Sequence, residues 1–287
     1  MCRLYGFRSA ILSHVHRSLL QAENALSRQS ARHRDGWGIA HYVGQFPHLI
    51  RNDRPALADS LYRELSAVVA SRSFLAHIRQ ATYGDINVLN CHPFQHGAWT
   101  FAHNGQIAGY AEVEGLRDRI VALVDERFRR HILGETDSEV LFHIFLSHLG
   151  RLVESIHDPG VTGRHALLAL QRTVTSVLAI ADADDPDPPT KLTFVLTNGN
   201  VMVGYRHKVQ LHFSTYKTHC PDRDTCHAYQ PERCEAPAKD GIVKHLIVAS
   251  EVIGGENVWE ELEDGEYVCL DHGMNVSRGE LARATTP

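Results

Sequence analysis

Cys2 follows Met1 directly, in the run Met1-Cys2-Arg3-Leu4-Tyr5-Gly6-Phe7. A small side chain at the second position permits removal of the initiator methionine, which would leave one residue carrying both a thiol and a free α-amino group. A thiol titrates at about 8.5 and an α-amino group at about 8, so at neutral pH a proton passes between them with little driving force against it. A nucleophile beside its own base is what acyl transfer requires, the chain terminus replacing the histidine of other cysteine hydrolases. Taken alone, a Met-Cys start reads more readily as an inert buried thiol on a first strand. The rest of the chain has to decide.

Three further groups could do chemistry. Ser73 to Ile78 reads as a strand ending in the polar turn Arg79-Gln80-Ala81-Thr82-Tyr83-Gly84. The planar guanidinium of Arg79 can make two parallel bonds to a carboxylate, and its strand is apolar enough to bury it, which requires a partner. Asn104-Gly105 comes just after a strand expected over Trp99 to Ala102. There a side-chain amide and a backbone N–H can point at one spot, and two fixed donors lower an acyl-transfer barrier by about 3 to 4 kcal/mol each. The same dipeptide also closes hairpins. Asp137, between Thr136 and Glu139 at the start of an apolar helical pattern, suits an ammonium group and equally suits the positive end of a helix dipole. With 20 histidines in the chain most must be ordinary, and His77, His96 and His103 are given no role.

Taken in order, Cys2, Arg34-Asp35-Gly36-Trp37-Gly38-Ile39, the Ser73 to Gly84 segment, Asn90-Cys91-His92-Pro93-Phe94, Trp99 to Gln106 and Gly134-Glu135-Thr136-Asp137-Ser138-Glu139 resemble the glutaminase domain of the class II glutamine amidotransferases, members of the N-terminal-nucleophile hydrolases. The resemblance covers essentially the whole chain. The opening run, Asp35 to Ile39 and the late Ala249-Ser250-Glu251 are most similar to the stand-alone amidase branch, one group of which removes a γ-glutamyl group during ergothioneine synthesis.

The resemblance implies an α+β fold, a four-layer αββα sandwich. It makes Cys2 the nucleophile and Asn104 and Gly105 the oxyanion donors. Arg79 and Thr82 would hold a substrate α-carboxylate, Asp137 its α-amino group, and His92 would lie near the pocket floor. Tyr83 follows Thr82 where many relatives of the fused-synthase type have histidine. The implied reaction is hydrolysis of a γ-glutamyl amide through a thioester on Cys2, releasing glutamate, with no cofactor and no metal. The alternatives are a glutaminase subunit supplying ammonia to a separate synthase, and a non-catalytic γ-glutamyl-binding regulatory module.

Composition fits a globular enzyme. Apolar residues make up 43% and charged residues 22% of the chain, enough for a core without the bias of a disordered segment. A formal net charge of -5 gives no basic footprint, so nucleic acid is not an expected partner. No apolar run reaches membrane length, and Arg3, Arg8, Arg17 and Arg28 interrupt the first segment, so neither a span nor a signal peptide is expected and the location is expected to be cytoplasmic.

These residues need a scaffold of mixed elements. Strands are expected at Arg3 to Arg8, Gly38 to Val43, Ser73 to Ile78, Trp99 to Ala102, Leu192 to Thr197, Val201 to Tyr205, Val209 to Ser214, His245 to Ala249 and Tyr267 to Leu270. Helical periodicity covers Ser18 to Gln29, Leu61 to Ala70, Leu116 to Arg130, Asp137 to Leu149 and Arg164 to Ile180. One domain over 2–287 is expected, with Asp182 to Pro189 as an acidic turn and a Cys-containing loop at about 217–240. Cys220, Cys226 and Cys234 in that loop lack a tight Cys-x2-Cys pair, so a covering loop is favoured over metal or disulfide, one that could border the site and shape the leaving group.

Overall fold

The computed structural model describes residues 2–281. In chain order its strands are β1 (Arg3–His14), β2 (Trp37–Val43), β3 (Phe46–Asn52), β4 (Ala70–Ile78), β5 (Phe94–His96), β6 (Trp99–Gln106), β7 (Lys191–Thr197), β8 (Met202–Tyr205), β9 (His212–Ser214), β10 (His245–Ala249), β11 (Glu260–Glu261), β12 (Glu266–Leu270) and β13 (Val276–Glu280). They form a seven-stranded sheet ordered β11-β9-β10-β1-β4-β2-β3 and a six-stranded sheet ordered β13-β12-β8-β7-β6-β5. Every adjacent pair is antiparallel.

Because side chains alternate between the faces of a strand, each sheet divides its residues between two cores. Leu4, Ala40, Leu75 and Val248 of the first sheet meet Ala102, Val195, Met202 and Val268 of the second in a shared inner core. Gly6 and Gly204 lie in this interface, where a Cβ would come within 2.8 Å of Val195 and Val248 respectively, so the two sheets close to a distance that larger residues would forbid.

The outer faces are covered by helices. Phe101 and Phe194 of the six-stranded sheet pack with Phe142, Phe145 and Leu170 from the helices Asp137–Leu149 and Gly163–Ala181. Tyr5, Trp37 and Phe74 of the seven-stranded sheet pack with Leu26 and with Tyr62 of the helix Ser60–Val68. The result is the four-layer αββα sandwich. The helix Asp137–Leu149 is buried nearly all round, with His148 its one half-exposed residue, because it lies between the sheet and its neighbouring helices.

The structure departs from the sequence expectations at several ends. β6 runs on to Gln106, so Asn104 and Gly105 are inside the strand, paired with Thr193 and Leu192, and make no hairpin turn. The stretch read as one helix from Ser18 to Gln29 is a π-turn at Arg17–Gln21 and a short helix at Leu26–Gln29, separated by extended backbone at Ala22 and Ala25. Leu116 to Arg130 is likewise broken, into Leu116–Val121 and Glu126–Arg129, because Asp125 turns extended and gives its N–H to Ser147 Oγ at 2.9 Å.

Candidate active site

The short β10 end fixes where the chain begins. Ser250 Oγ accepts the Leu4 N–H at 3.0 Å, the Ser250 N–H donates to the Leu4 carbonyl at 3.1 Å, and Glu251 forms an ion pair with Arg3. This is the structural use of Ala249-Ser250-Glu251. Cys2 is thereby held just before β1, half-buried, and strand alternation puts its side chain on the same side as Leu4. Its Sγ donates to the Gln80 carbonyl and accepts the Gln80 N–H, each at 3.2 Å. Burial pushes the Cys2 thiol up, while the Gln80 backbone and the nearby Arg79 charge pull it down.

β6 crosses this position from the opposite sheet. Asn104 Nδ2 donates to the Cys2 carbonyl at 2.9 Å, and Arg3 Nη1 reaches the same oxygen at 3.3 Å. Gly105 is a glycine by necessity, since a Cβ there would lie 2.0 Å from the Lys191 carbonyl and 2.5 Å from His103 Nε2. One side-chain amide and one backbone N–H therefore come from adjacent residues of a strand that is paired there with β7 alone, beside the Cys2 backbone.

The two expected substrate charges are held by loops. Arg79 is buried at the end of β4, with Nη1 donating to the Asp85 carbonyl at 2.9 Å and Nη2 to the Tyr83 and Gly84 carbonyls at 3.1 Å. The partner that its burial demands is thus its own following loop. Asp35 ties the start of that loop down, accepting the Ala81 N–H at 2.8 Å, and Asn90 ties its end to Glu135. Asp137 Oδ2 accepts the Ile107 N–H at 2.8 Å, just beyond β6, so the start of its helix is fixed to the strand that carries Asn104. Thr136 caps the same helix through the Glu139 N–H, so the helix-start reading of Asp137 holds alongside any substrate role.

A family description, "Glutamine amidotransferases class-II", matches residues 1–286. The chain belongs to the class II glutamine amidotransferases. A probable glutamine amidotransferase of Saccharomyces cerevisiae is 29% identical over 66% of this chain and 57% of its own length. The γ-glutamyl-hercynylcysteine sulfoxide hydrolase of Mycobacterium tuberculosis is 32% identical over 37% of this chain and 50% of its own. The chain thus spans about half the length of these relatives. A solved glutamine aminotransferase class-II domain protein from Silicibacter pomeroyi superposes with a TM-score of 0.63 at 22% identity, covering 98% of this chain and 100% of that one, which establishes the shared fold.

Within this amidotransferase the remaining expected residues fall unevenly. Asn104 meets Cys2 directly, the Arg79 charge acts on the Cys2 thiol, and Gly105 and Asp137 adjoin them through β6 and the Ile107 N–H that follows it. His92 is buried beside them, its ring 4.2 Å from His77 and 4.7 Å from Phe94, with burial as the main cause holding it uncharged. Thr82 is exposed, on a depression it shares with Tyr83, Arg117 and Glu135. Arg34 is exposed and Trp37 is packed in the outer core with Nε1 on Asp59 at 2.9 Å, so Trp37 serves the fold. Sequence reasoning missed Gln80, whose backbone brackets the thiol, and His103, which joins the Lys191 carbonyl at 3.0 Å to Ser138 at 2.9 Å. The signal available for His103 was its adjacency to Asn104.

The cysteine loop lies elsewhere. Cys220, Cys226 and Cys234 are free thiols around a cavity of about 600 Å³ whose wall includes Tyr5 and Phe7, residues of the outer core. That places the loop on the opposite face of β1 from Cys2, and none of Arg79, Asn104 or Asp137 lines the cavity. The expectation that it borders the site is corrected accordingly. Among the described residues no three His, Cys, Asp or Glu are placed to hold a metal ion, and no helix is long and apolar enough to cross a membrane.

Burial of neutral histidines has a consequence for stability. Burial lowers His77 and His245 to about 3, against 6.5 for an ordinary imidazole. Below about pH 6.5 the unfolded chain binds protons that the folded chain refuses, so stability falls as pH falls. At pH 5 each of the two costs about 2 kcal/mol. The melting temperature should then drop by about 10 °C between pH 7.5 and pH 5. An unchanged melting curve would show that these rings are protonated inside the fold.

Proposed function

We propose that this enzyme hydrolyses the amide bond of a γ-glutamyl compound, glutamine or a larger amide, through a thioester on Cys2 after removal of Met1. The observation that carries the reading is the hydrogen bond from Asn104 Nδ2 to the Cys2 carbonyl, which puts an amide donor from the opposite sheet beside the nucleophile-bearing residue. Cys2 Sγ attacks the γ-carbonyl, and the freed α-amino group takes the thiol proton and passes it to the leaving amine. Asn104 Nδ2 and the Gly105 N–H receive the oxyanion. Water then cleaves the thioester and glutamate leaves. Arg79 takes the substrate α-carboxylate, with Thr82 and His92 beside it, and Asp137 its ammonium, so recognition stops at the γ-glutamyl half. The γ-glutamyl substrate of the mycobacterial relative supports hydrolysis of a larger amide over delivery of ammonia to a separate synthase.

Intact mass and glutamate release, before and after treatment with 6-diazo-5-oxo-norleucine, test this reading. The expected result is loss of Met1, a single adduct on Cys2 and loss of hydrolysis. Retention of Met1 with no adduct would overturn it.

A further inference from the structure

The oxyanion role given to Asn104 leaves one question of orientation open. An amide has a donor end and an acceptor end of nearly equal shape, and only the donor end helps a developing oxyanion. Nδ2 carries two hydrogens, and in the resting enzyme one of them is given to the Cys2 carbonyl, which leaves the other for substrate. The other end, Oδ1, is buried with no hydrogen-bond partner. A buried acceptor left unpaired costs about 1 to 3 kcal/mol, so some donor must be within reach.

His77 faces Asn104 from the opposite sheet. In β4 it pairs with Leu4 of β1, so it lies on the inner face of its sheet, while Asn104 shares the face of Ala102 on the inner side of the other. The ring is fully buried, neither nitrogen meets a partner at full hydrogen-bond geometry, and the groups close enough to act on its protonation are the His103 backbone and then the Asn104 amide. His92 packs against it at 4.2 Å and limits the rotation of the ring. Asn104 Oδ1, both His77 nitrogens and both nitrogens of the adjoining His92 are thus buried without a hydrogen-bond partner in this region.

We propose that His77 is the positioning residue of the oxyanion site, donating a ring N–H to Asn104 Oδ1 so that Nδ2 is the end presented to the reacting carbonyl. Burial keeps the ring neutral, so it always carries one N–H and places no charge beside the oxyanion. A lysine would bring a charge there and an aspartate would repel Oδ1. The inference rests on Asn104 being an oxyanion donor, as read above.

The test is a double-mutant cycle on the full chain with glutamine as substrate. His77→Phe removes the donor and keeps a ring against His92. It should lower kcat by about 10- to 100-fold with KM within about twofold, because an amide free to flip loses part of one donor's contribution. In the Asn104→Ala background the same change should cost less than about twofold, since there is no amide left to orient. Alkylation of Cys2 by iodoacetamide, which needs no oxyanion site, should stay within about twofold throughout. His77→Asn and His77→Gln place an amide N–H where one or other ring nitrogen was, and one of them should recover most of kcat. If the phenyl ring is not accommodated, His77→Leu gives the same cycle. A loss of kcat equal in both backgrounds, or one matched by slower alkylation, would overturn the proposal, because either would show a general structural role. A wild-type enzyme that alkylates at Cys2 but releases no glutamate from glutamine or from γ-glutamyl dipeptides would instead overturn the hydrolase reading before any variant is compared.

Discussion

Cys2→Ala should reduce glutamate release by about 10⁴-fold or more, the scale seen when the nucleophile of a concerted catalytic set is removed. Alanine at the second position still permits removal of Met1, so the free α-amino group is retained and the loss belongs to sulfur. Cys2→Ser separates the two functions further. Its hydroxyl can keep the contacts that Sγ makes with the Gln80 N–H and carbonyl, yet its oxygen is a far weaker nucleophile at neutral pH than a thiol beside an amine. Both variants should fold, because two long sulfur hydrogen bonds are worth about 1 kcal/mol at most against the whole sandwich. Activity above about one per cent of wild type in Cys2→Ala, with Met1 confirmed absent by mass, would remove Cys2 from the mechanism.

The residues that were readable in the sequence share one property: their chemistry is local. Cys2 declares itself by position, Arg79 by a strand too apolar to leave it exposed, and Asp137 by the cap that precedes it. What escaped depends on the opposite sheet. His77 and Asn104 are 27 positions apart in different sheets, and nothing along the chain says that they face each other. Edge strands escaped for a different reason. β3, β11 and β13 are half-exposed or exposed along most of their length, so no apolar alternation marks them, and β5 is only three residues long. The end of β6 was missed because Asn104-Gly105 has turn chemistry, and only pairing with Lys191–Thr197 keeps it extended. That extension matters to function, since a strand holds a donor pair more rigidly than a turn would.

Asn104→Ala should lower kcat by about 10²- to 10³-fold while leaving KM within a few-fold, the signature of a donor used only in the transition state. KM is spared because Arg79 and Asp137 are anchored by other groups, the loop carbonyls of Tyr83 to Asp85 and the Ile107 N–H. The ground-state cost is smaller. The Cys2 carbonyl loses its 2.9 Å bond and keeps the longer one from Arg3, which should lower stability by about 1 kcal/mol. Asn104→Asp sharpens the argument, because the carboxylate matches the amide in shape but sets a negative charge where the oxyanion forms. If the role is electrostatic, Asp must be slower than Ala, although it fills the site better. If Asp equals or exceeds Ala, the residue acts by packing against Cys2, and the Gly105 N–H alone would carry the oxyanion.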